Sequence, residues 1–152
     1  MANGYGRRND RQESSEVSKI ISKIRNLRYL SEMKPKDYAD EGGYADLIAK
    51  EFSGRGGDNK VLNTNQLRKF FGAIRDIESK EGDWEDIESQ FYLLKPKLAV
   101  SAGRKLIPKK FHELMMTSMN KVDIGDSEVN LENFKTLVNF LEAIVAYRKY
   151  YD

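Results

Sequence analysis

Apolar residues in this 152-residue chain recur every three and four positions, and this spacing limits the possible folds more than any other property of the sequence. The clearest stripes run from Val17 to Leu30 and from Phe134 to Val145. Such spacing puts the apolar side chains on one face of a helix, which has about 3.6 residues per turn. No segment alternates strictly between apolar and polar residues, as a half-buried strand would. The sequence therefore predicts an all-α fold, a compact bundle of about five to seven helices.

Cap and turn residues divide the chain into expected elements, because hydroxyl and amide side chains begin helices and Gly or Pro ends them. The predicted elements are a helix from Ser14 or Ser15 to Pro35, a linker over residues 36–43, a short helix over Tyr44 to Phe52, a helix from Asn63 or Thr64 to Gly82, a helix from about Trp84 to Leu106, a helix from Pro108 to Gly125, and a last helix from about Asn130 to Tyr151. Pro96 is expected to mark either a kink or a new first turn.

The length suits one domain, predicted over residues 16–152 and preceded by a disordered basic tail over residues 1–15. The chain contains no Cys, which excludes disulfides and fits a reducing cytoplasm, the expected location. We find neither a stretch of about 18 apolar residues that could span a membrane nor an N-terminal secretion signal.

Residues that carry catalysis or bind metals are scarce. His112 is the only histidine and is most simply a structural residue. The loop from Gly54 to Gly57 lacks the Gly-Lys-Ser/Thr ending of a phosphate-binding loop, and Asp123 to Glu128 does not match a calcium-binding loop. The sequence therefore predicts no enzyme activity, no metal site and no cofactor.

The charges are segregated although the net charge is only +2. Residues 76–88 contain seven acidic residues against one lysine, and residues 95–110 contain six basic residues and no acidic one. Two interpretations stay open at this point: ordinary solvated helix faces, or one face for a polyanion and another for a basic neighbour.

Two predicted helices carry cations at helical spacing. Arg68 and Arg75 are seven residues apart on one helix, and Lys97 and Arg104 are seven apart on the next, with Ser101 between them. Guanidinium groups bind phosphate through two hydrogen bonds, and a hydroxyl can reach a ribose. Such faces favour contact with a nucleic-acid backbone without readout of the bases.

Three segments together resemble the small subunit of the type III-A CRISPR–Cas (Csm) effector complex. They are residues 62–71 (LNTNQLRKFF), 94–104 (LKPKLAVSAGR) and 140–150 (FLEAIVAYRKY). The middle segment is the most specific of the three, and it departs from the family at Val100, where an aromatic residue is common.

The resemblance implies a helical subunit without an active site. Several copies would stack as a filament beside the other subunits of the complex and hold the guide RNA–target RNA duplex through its phosphates. The expected RNA-binding residues are Arg68, Arg75, Lys97 and Arg104, with Lys60, Lys95, Lys105, Lys109 and Lys110 as weaker candidates. The alternative is a helical adaptor that binds only proteins, joining copies through the acidic and basic segments.

Overall fold

The structure, a computed structural model, describes residues 15–54 and 61–152. Seven α-helices and one short 3-10 helix, Leu30–Glu32, make up this part of the chain, and no strand occurs in it. The α-helices are α1 Glu16–Arg25, α2 Pro35–Tyr38, α3 Tyr44–Glu51, α4 Thr64–Glu78, α5 Trp84–Gly103, α6 Lys109–Met119 and α7 Ser127–Tyr150. The predicted all-α bundle is confirmed.

Helix α7 is the axis on which the bundle is assembled. It contacts α2, α3, α4, α5 and the 3-10 helix, while α1 packs against α3 and α6. At about 1.5 Å per residue its 24 residues extend for about 36 Å, long enough to touch each of these elements. Phe134, Leu137, Phe140, Leu141 and Ile144 are at most 1% exposed, and each such burial stabilises the fold by roughly 1.5–3 kcal/mol.

Aromatic rings fill the places where the helices meet. The Trp84 ring at the start of α5 lies 5.3 Å from the ring of Phe91, which in turn lies 6.0 Å edge-on from Phe134 of α7. The Phe52 and Phe111 rings make a second edge-to-face pair at 6.2 Å. Such tilted and edge-on arrangements are favoured because the positive ring edge meets a negative face. The rings therefore fix α5 and α6 to the rest of the bundle.

Several predicted caps are confirmed. The Ser15 hydroxyl accepts from the Ser18 amide at 3.1 Å, so Ser15 caps α1. The Asn63 side chain accepts from the amides of Asn65 and Gln66, at 2.8 and 3.3 Å, and caps α4. These bonds satisfy amide groups that have no partner in the first turn of a helix. The predicted disordered tail lies outside the described residues apart from Ser15, and its state and the domain boundary stay predictions.

Some predicted boundaries were wrong. The first helix ends at Arg25, and Pro35 instead begins the short helix α2 inside the expected linker, because proline is well suited to a first helical turn. Pro96 does not start a new helix: α5 continues across it from Trp84 to Gly103. Helix α5 ends three residues before Leu106, and α7 begins at Ser127, three residues before the predicted Asn130.

Asn133 of α7 connects three parts of the chain and is fully buried. Its Oδ1 accepts from the Ser31 amide at 2.9 Å, and its Nδ2 donates to the Val122 carbonyl at 3.0 Å. The amide side chain therefore satisfies two backbone groups at once, one in the 3-10 helix and one in the segment that leads into α7.

We expect Asn133→Ala to lower the free energy of unfolding by about 2–4 kcal/mol, because it leaves both backbone groups without a partner and opens a cavity. Urea denaturation followed by circular dichroism measures the change. Lys135→Ala, an exposed site on the same helix, is the control and should change stability by less than about 0.5 kcal/mol. An equal effect of the two substitutions would contradict the role of Asn133.

Candidate nucleic-acid interface

A groove of about 410 Å³ lies between α4 and α5, and Phe111 near the start of α6 also lines it. Helices α4 and α5 are consecutive, joined by residues 79–83, and pack against each other. The residues that line the groove are Gln66, Lys69, Phe70, Ala73, Lys97, Leu98, Val100, Ser101, Arg104, Leu106, Ile107 and Phe111.

Helical periodicity explains why these residues meet. Helix α4 contributes positions 66, 69, 70 and 73. Helix α5 contributes 97, 100 and 101, with Leu98 beneath them, and its C-cap residue Arg104 continues the same face. Both sets follow the i, i+3, i+4, i+7 pattern that places side chains on one helix face. Leu98, Ile107 and Phe111 are at most 6% exposed and form the floor. The groove thus has an apolar floor and polar groups above it.

Three cations line the groove, and no acidic residue does. Lys69 comes from α4, Lys97 from α5 and Arg104 from the C-cap of α5, and all three are exposed. None of them forms an ion pair with a residue in the described parts of the chain. Two of the four leading sequence candidates, Lys97 and Arg104, therefore share one surface with a lysine from the neighbouring helix.

The carboxylates at the start of α5 are distant from Lys97. Glu85 at the start of α5 lies twelve residues before Lys97, about 18 Å along the helix axis, which is roughly twice the screening length at physiological salt. Its carboxylate accepts from the Ser127 hydroxyl at 2.8 Å, and Glu88 accepts from the Trp84 indole at 3.0 Å. These carboxylates fix the N-terminal end of α5, where negative charge is favoured.

Arg68 and Arg75 lie on another surface. With about 3.6 residues per turn, both arginines point to roughly the opposite side of α4 from Gln66 and Ala73. Arg75 approaches Glu78 at 3.4 Å, and its guanidinium lies 5.7 Å from the centre of the Phe71 ring. The structure thus separates the four leading candidates into two pairs on two faces.

The weaker candidates have different surroundings. Lys105 and Lys109 are exposed, and neither makes an ion pair with the described residues. Lys110 pairs with Glu113 at 3.2 Å, although exposed pairs of this kind contribute only about 0–1 kcal/mol. Lys95 donates to the Asn120 side chain at 3.1 Å and lies 5.1 Å from the centre of the Tyr92 ring. Lys60 lies outside the described residues.

Lys69 is the groove cation that sequence reasoning missed. It is adjacent to Arg68, and the repeat of Arg68 with Arg75 gave the other flank of α4 the stronger signal. A helical pattern identifies two flanks beside an apolar stripe, and it does not say which flank faces the next helix. The nearby Ala73 was the available signal, because a small residue beside a cation leaves room for a groove.

Other chemistry is sparse in residues 15–54 and 61–152. No group of three or more His, Asp or Glu side chains in these ranges is arranged to hold a metal ion. The Nε2 atom of the half-buried His112 has no hydrogen-bond partner among the described residues. No helix in the same ranges has the length and apolar character needed to cross a bilayer.

The end of α5 is a tight turn that shapes the groove. The Lys105 amide donates to the Ala102 carbonyl at 3.0 Å, and the Leu106 amide donates to the Ser101 carbonyl at 2.8 Å. These two bonds define a Schellman motif, in which the residue after the cap takes a left-handed conformation. Lys105 occupies that place with a φ of 60°, although glycine is preferred there.

The fold and this surface define a class of protein: a small helical bundle with a cationic groove between two consecutive helices. The chain belongs to the Csm2 Type III-A family, whose family model matches residues 35–152. It is thus a small subunit of the type III-A CRISPR (Csm) complex and associates with other subunits of that complex. No curated protein and no solved structure matches the chain. The family resemblance inferred from the three sequence segments is confirmed, and the matched range includes α2 to α7 and the whole groove.

We expect Lys105→Gly to raise the free energy of unfolding by about 1 kcal/mol relative to Lys105→Ala. Both substitutions remove the same charge, and only glycine adopts a positive φ without strain. Thermal and urea denaturation of the two variants measure the difference. Equal stabilities would show that the left-handed turn at residue 105 carries no strain.

We expect part of the stability of the protein to be lost as pH rises from about 10 to 12. The Tyr92 hydroxyl donates to the Asp123 carboxylate, and this bond raises the pKa of Tyr92 to about 12. A pKa raised above its usual value means that the neutral phenol stabilises the fold below about pH 10, and that this contribution disappears through about pH 12.

Urea denaturation of wild type and Tyr92→Phe at about pH 9 and about pH 11 tests this expectation. The variant should lose less stability than wild type between the two values. Tyr150→Phe is the control, because the Tyr150 side chain is 77% exposed and its hydroxyl makes no hydrogen bond with the described residues. Identical pH dependence of wild type and Tyr92→Phe would contradict the expectation.

Proposed function

We propose that this subunit holds the guide RNA–target RNA duplex in its complex by the sugar–phosphate backbone, and that the groove cations anchor it. One observation supports the proposal most strongly: Lys69, Lys97 and Arg104 line one groove without any acidic neighbour in its lining. Cations that have no ion-pair partner are available to phosphates, and their attraction needs no base sequence. Membership of a type III-A family supplies the RNA-containing context.

Arg68 and Arg75 form a second part of the proposal. They lie on the side of α4 away from the groove, with the exposed Gly72 between them. Arg75 already contacts Glu78 and Phe71, whereas Arg68 makes no ion pair with the described residues. We assign the groove cations the main share of the RNA affinity and these arginines a contribution to a further contact with RNA or with an adjacent copy.

In this proposal the subunit has no catalytic role, and it acts as several stacked copies. A surface of three or four cations binds RNA weakly, and repetition along a filament would raise the effective concentration of each site for the next stretch of duplex. Lys105 and Lys109 are close in sequence to the groove residues Arg104 and Ile107, and they would extend the cationic surface. Such binding suits a protein that follows RNA of any sequence.

Lys97→Gln/Arg104→Gln should weaken RNA binding and flatten its salt dependence. Each lost phosphate contact lowers the slope of log affinity against log salt by about 0.7–0.9. Fluorescence anisotropy with an RNA duplex over a salt series measures both quantities for the purified full chain, and copurification with the complex reports on assembly.

Lys135→Gln/Lys149→Gln is the matched control, because it removes the same charge from exposed positions of α7. If the control weakened binding as much as the groove variant, net charge alone would explain the effect. If the groove variant kept its RNA affinity and salt slope, the proposed function would be wrong. The adaptor hypothesis predicts a different pair of results. Charge reversal in residues 76–88 would abolish assembly, whereas charge reversal at Lys97 and Arg104 would leave RNA capture intact.

A further inference from the structure

The groove contains more apolar surface than phosphate binding requires. An RNA sugar–phosphate backbone held only by charge would need exposed cations on an open surface. This groove instead extends down to Leu98 and Phe111, which are 2% and 1% exposed. Phosphates gain nothing from such a floor. The occupant must therefore combine an apolar body with negative charge beside it.

The size of the groove suits a small ligand. Its volume of about 410 Å³ falls in the range of roughly 300–1,000 Å³ that is typical of small-ligand sites. On α4 it runs from Gln66 to Ala73, about 10 Å, which is less than two helical turns. A docked peptide helix would present its anchors over a similar length, so it is the three cations in the lining that favour a compact anionic ligand.

The polar groups of the groove have the chemistry that recognises a nucleotide. The Phe70 ring is only partly buried and lines the wall, so a base can stack against it. The Gln66 amide can both donate and accept hydrogen bonds, and the Ser101 hydroxyl can do the same for a base edge or a ribose 2′-hydroxyl. Cations stand on both walls beside these groups, where the phosphates on either side of the base would lie.

We propose that the groove between α4 and α5 receives the base of an unpaired nucleotide, while Lys69, Lys97 and Arg104 hold its flanking phosphates. This inference rests on the proposed function, because the same cations anchor the RNA. It adds that the subunit distinguishes unpaired or flipped-out nucleotides from a continuous duplex, since a paired and stacked base cannot enter the groove.

Ala73→Leu tests the proposal by filling the groove without changing any charge. Ala73 is partly buried and lines the groove. Ala146→Leu adds the same bulk at an exposed position of α7 that is not part of the groove and is the control. Circular dichroism checks the fold of both variants, and anisotropy measures their affinity for a short single-stranded oligouridylate and for its abasic counterpart, which keeps every phosphate.

We expect wild type to bind the base-containing RNA about tenfold more tightly than the abasic RNA, the effect of one stacked base. Ala73→Leu should remove this preference and leave the affinity for abasic RNA unchanged, and Ala146→Leu should alter neither. Equal wild-type affinities for the two RNAs would overturn the proposal. So would unchanged RNA binding by Ala73→Leu together with loss of self-association, because the groove would then be a protein-docking site.

The charge variant separates this inference from the proposed function. If Lys97→Gln/Arg104→Gln weakens RNA binding while base-containing and abasic RNA bind equally, only the base site is wrong. If the charge variant binds RNA like wild type, the proposed function itself fails.

A second measurement keeps the test decisive if Ala73→Leu does not fold. In nuclear magnetic resonance spectra of wild type, uridine monophosphate should shift the Ala73 methyl and Phe70 ring signals. Ribose 5-phosphate has no base and should leave them in place. Equal shifts with both ligands, or none with either, would overturn the base site.

Discussion

The burial of α7 on several sides is the constraint on which the rest of the bundle depends. Helices α3, α4 and α5 all pack against it, so their positions relative to one another follow from where each meets α7. Interiors of proteins are close-packed, and α4 and α5 therefore cannot shift to close the space between them without losing contacts to α7. The small side chains of Ala73 and Ser101 line the groove and leave this space unfilled.

Charge is arranged along α5 as well as across its faces. The first turn contains Glu85 and Asp86, and the cations Lys97 and Arg104 lie toward the other end. This order complements the helix macrodipole, which is positive at the N-terminal end and negative at the C-terminal end. The same arrangement that stabilises the helix places the carboxylates of its first turn away from Lys97. A net charge of +2 thus conceals a groove lined by three cations and no acidic residue.

The family match begins at residue 35 and so excludes α1. Helix α1 is nevertheless part of the core, because Val17, Ile20, Ile21 and Ile24 are at most 2% exposed and belong to the same cluster of buried side chains as α7. Its contacts are with α3 and α6, and none of its own residues lines the groove. The helices that the family shares are therefore the ones that build the candidate RNA surface.

Helical periodicity and cap residues in the sequence determined the fold class and most of the helix starts, because these depend on local backbone preferences and on one apolar face per helix. The resemblance of three segments to a known family indicated the family. Proline was ambiguous, since Pro35 begins a helix and Pro96 lies within one. The sequence also placed Lys97 and Arg104 on one face, and both line the groove. Only the tertiary structure decided that Lys69 joins them and that Arg68 and Arg75 face elsewhere. The physical reason is that a helix has flanks on both sides of its apolar stripe, and packing against α5 and α7 alone selects which flank of α4 forms the wall of a groove.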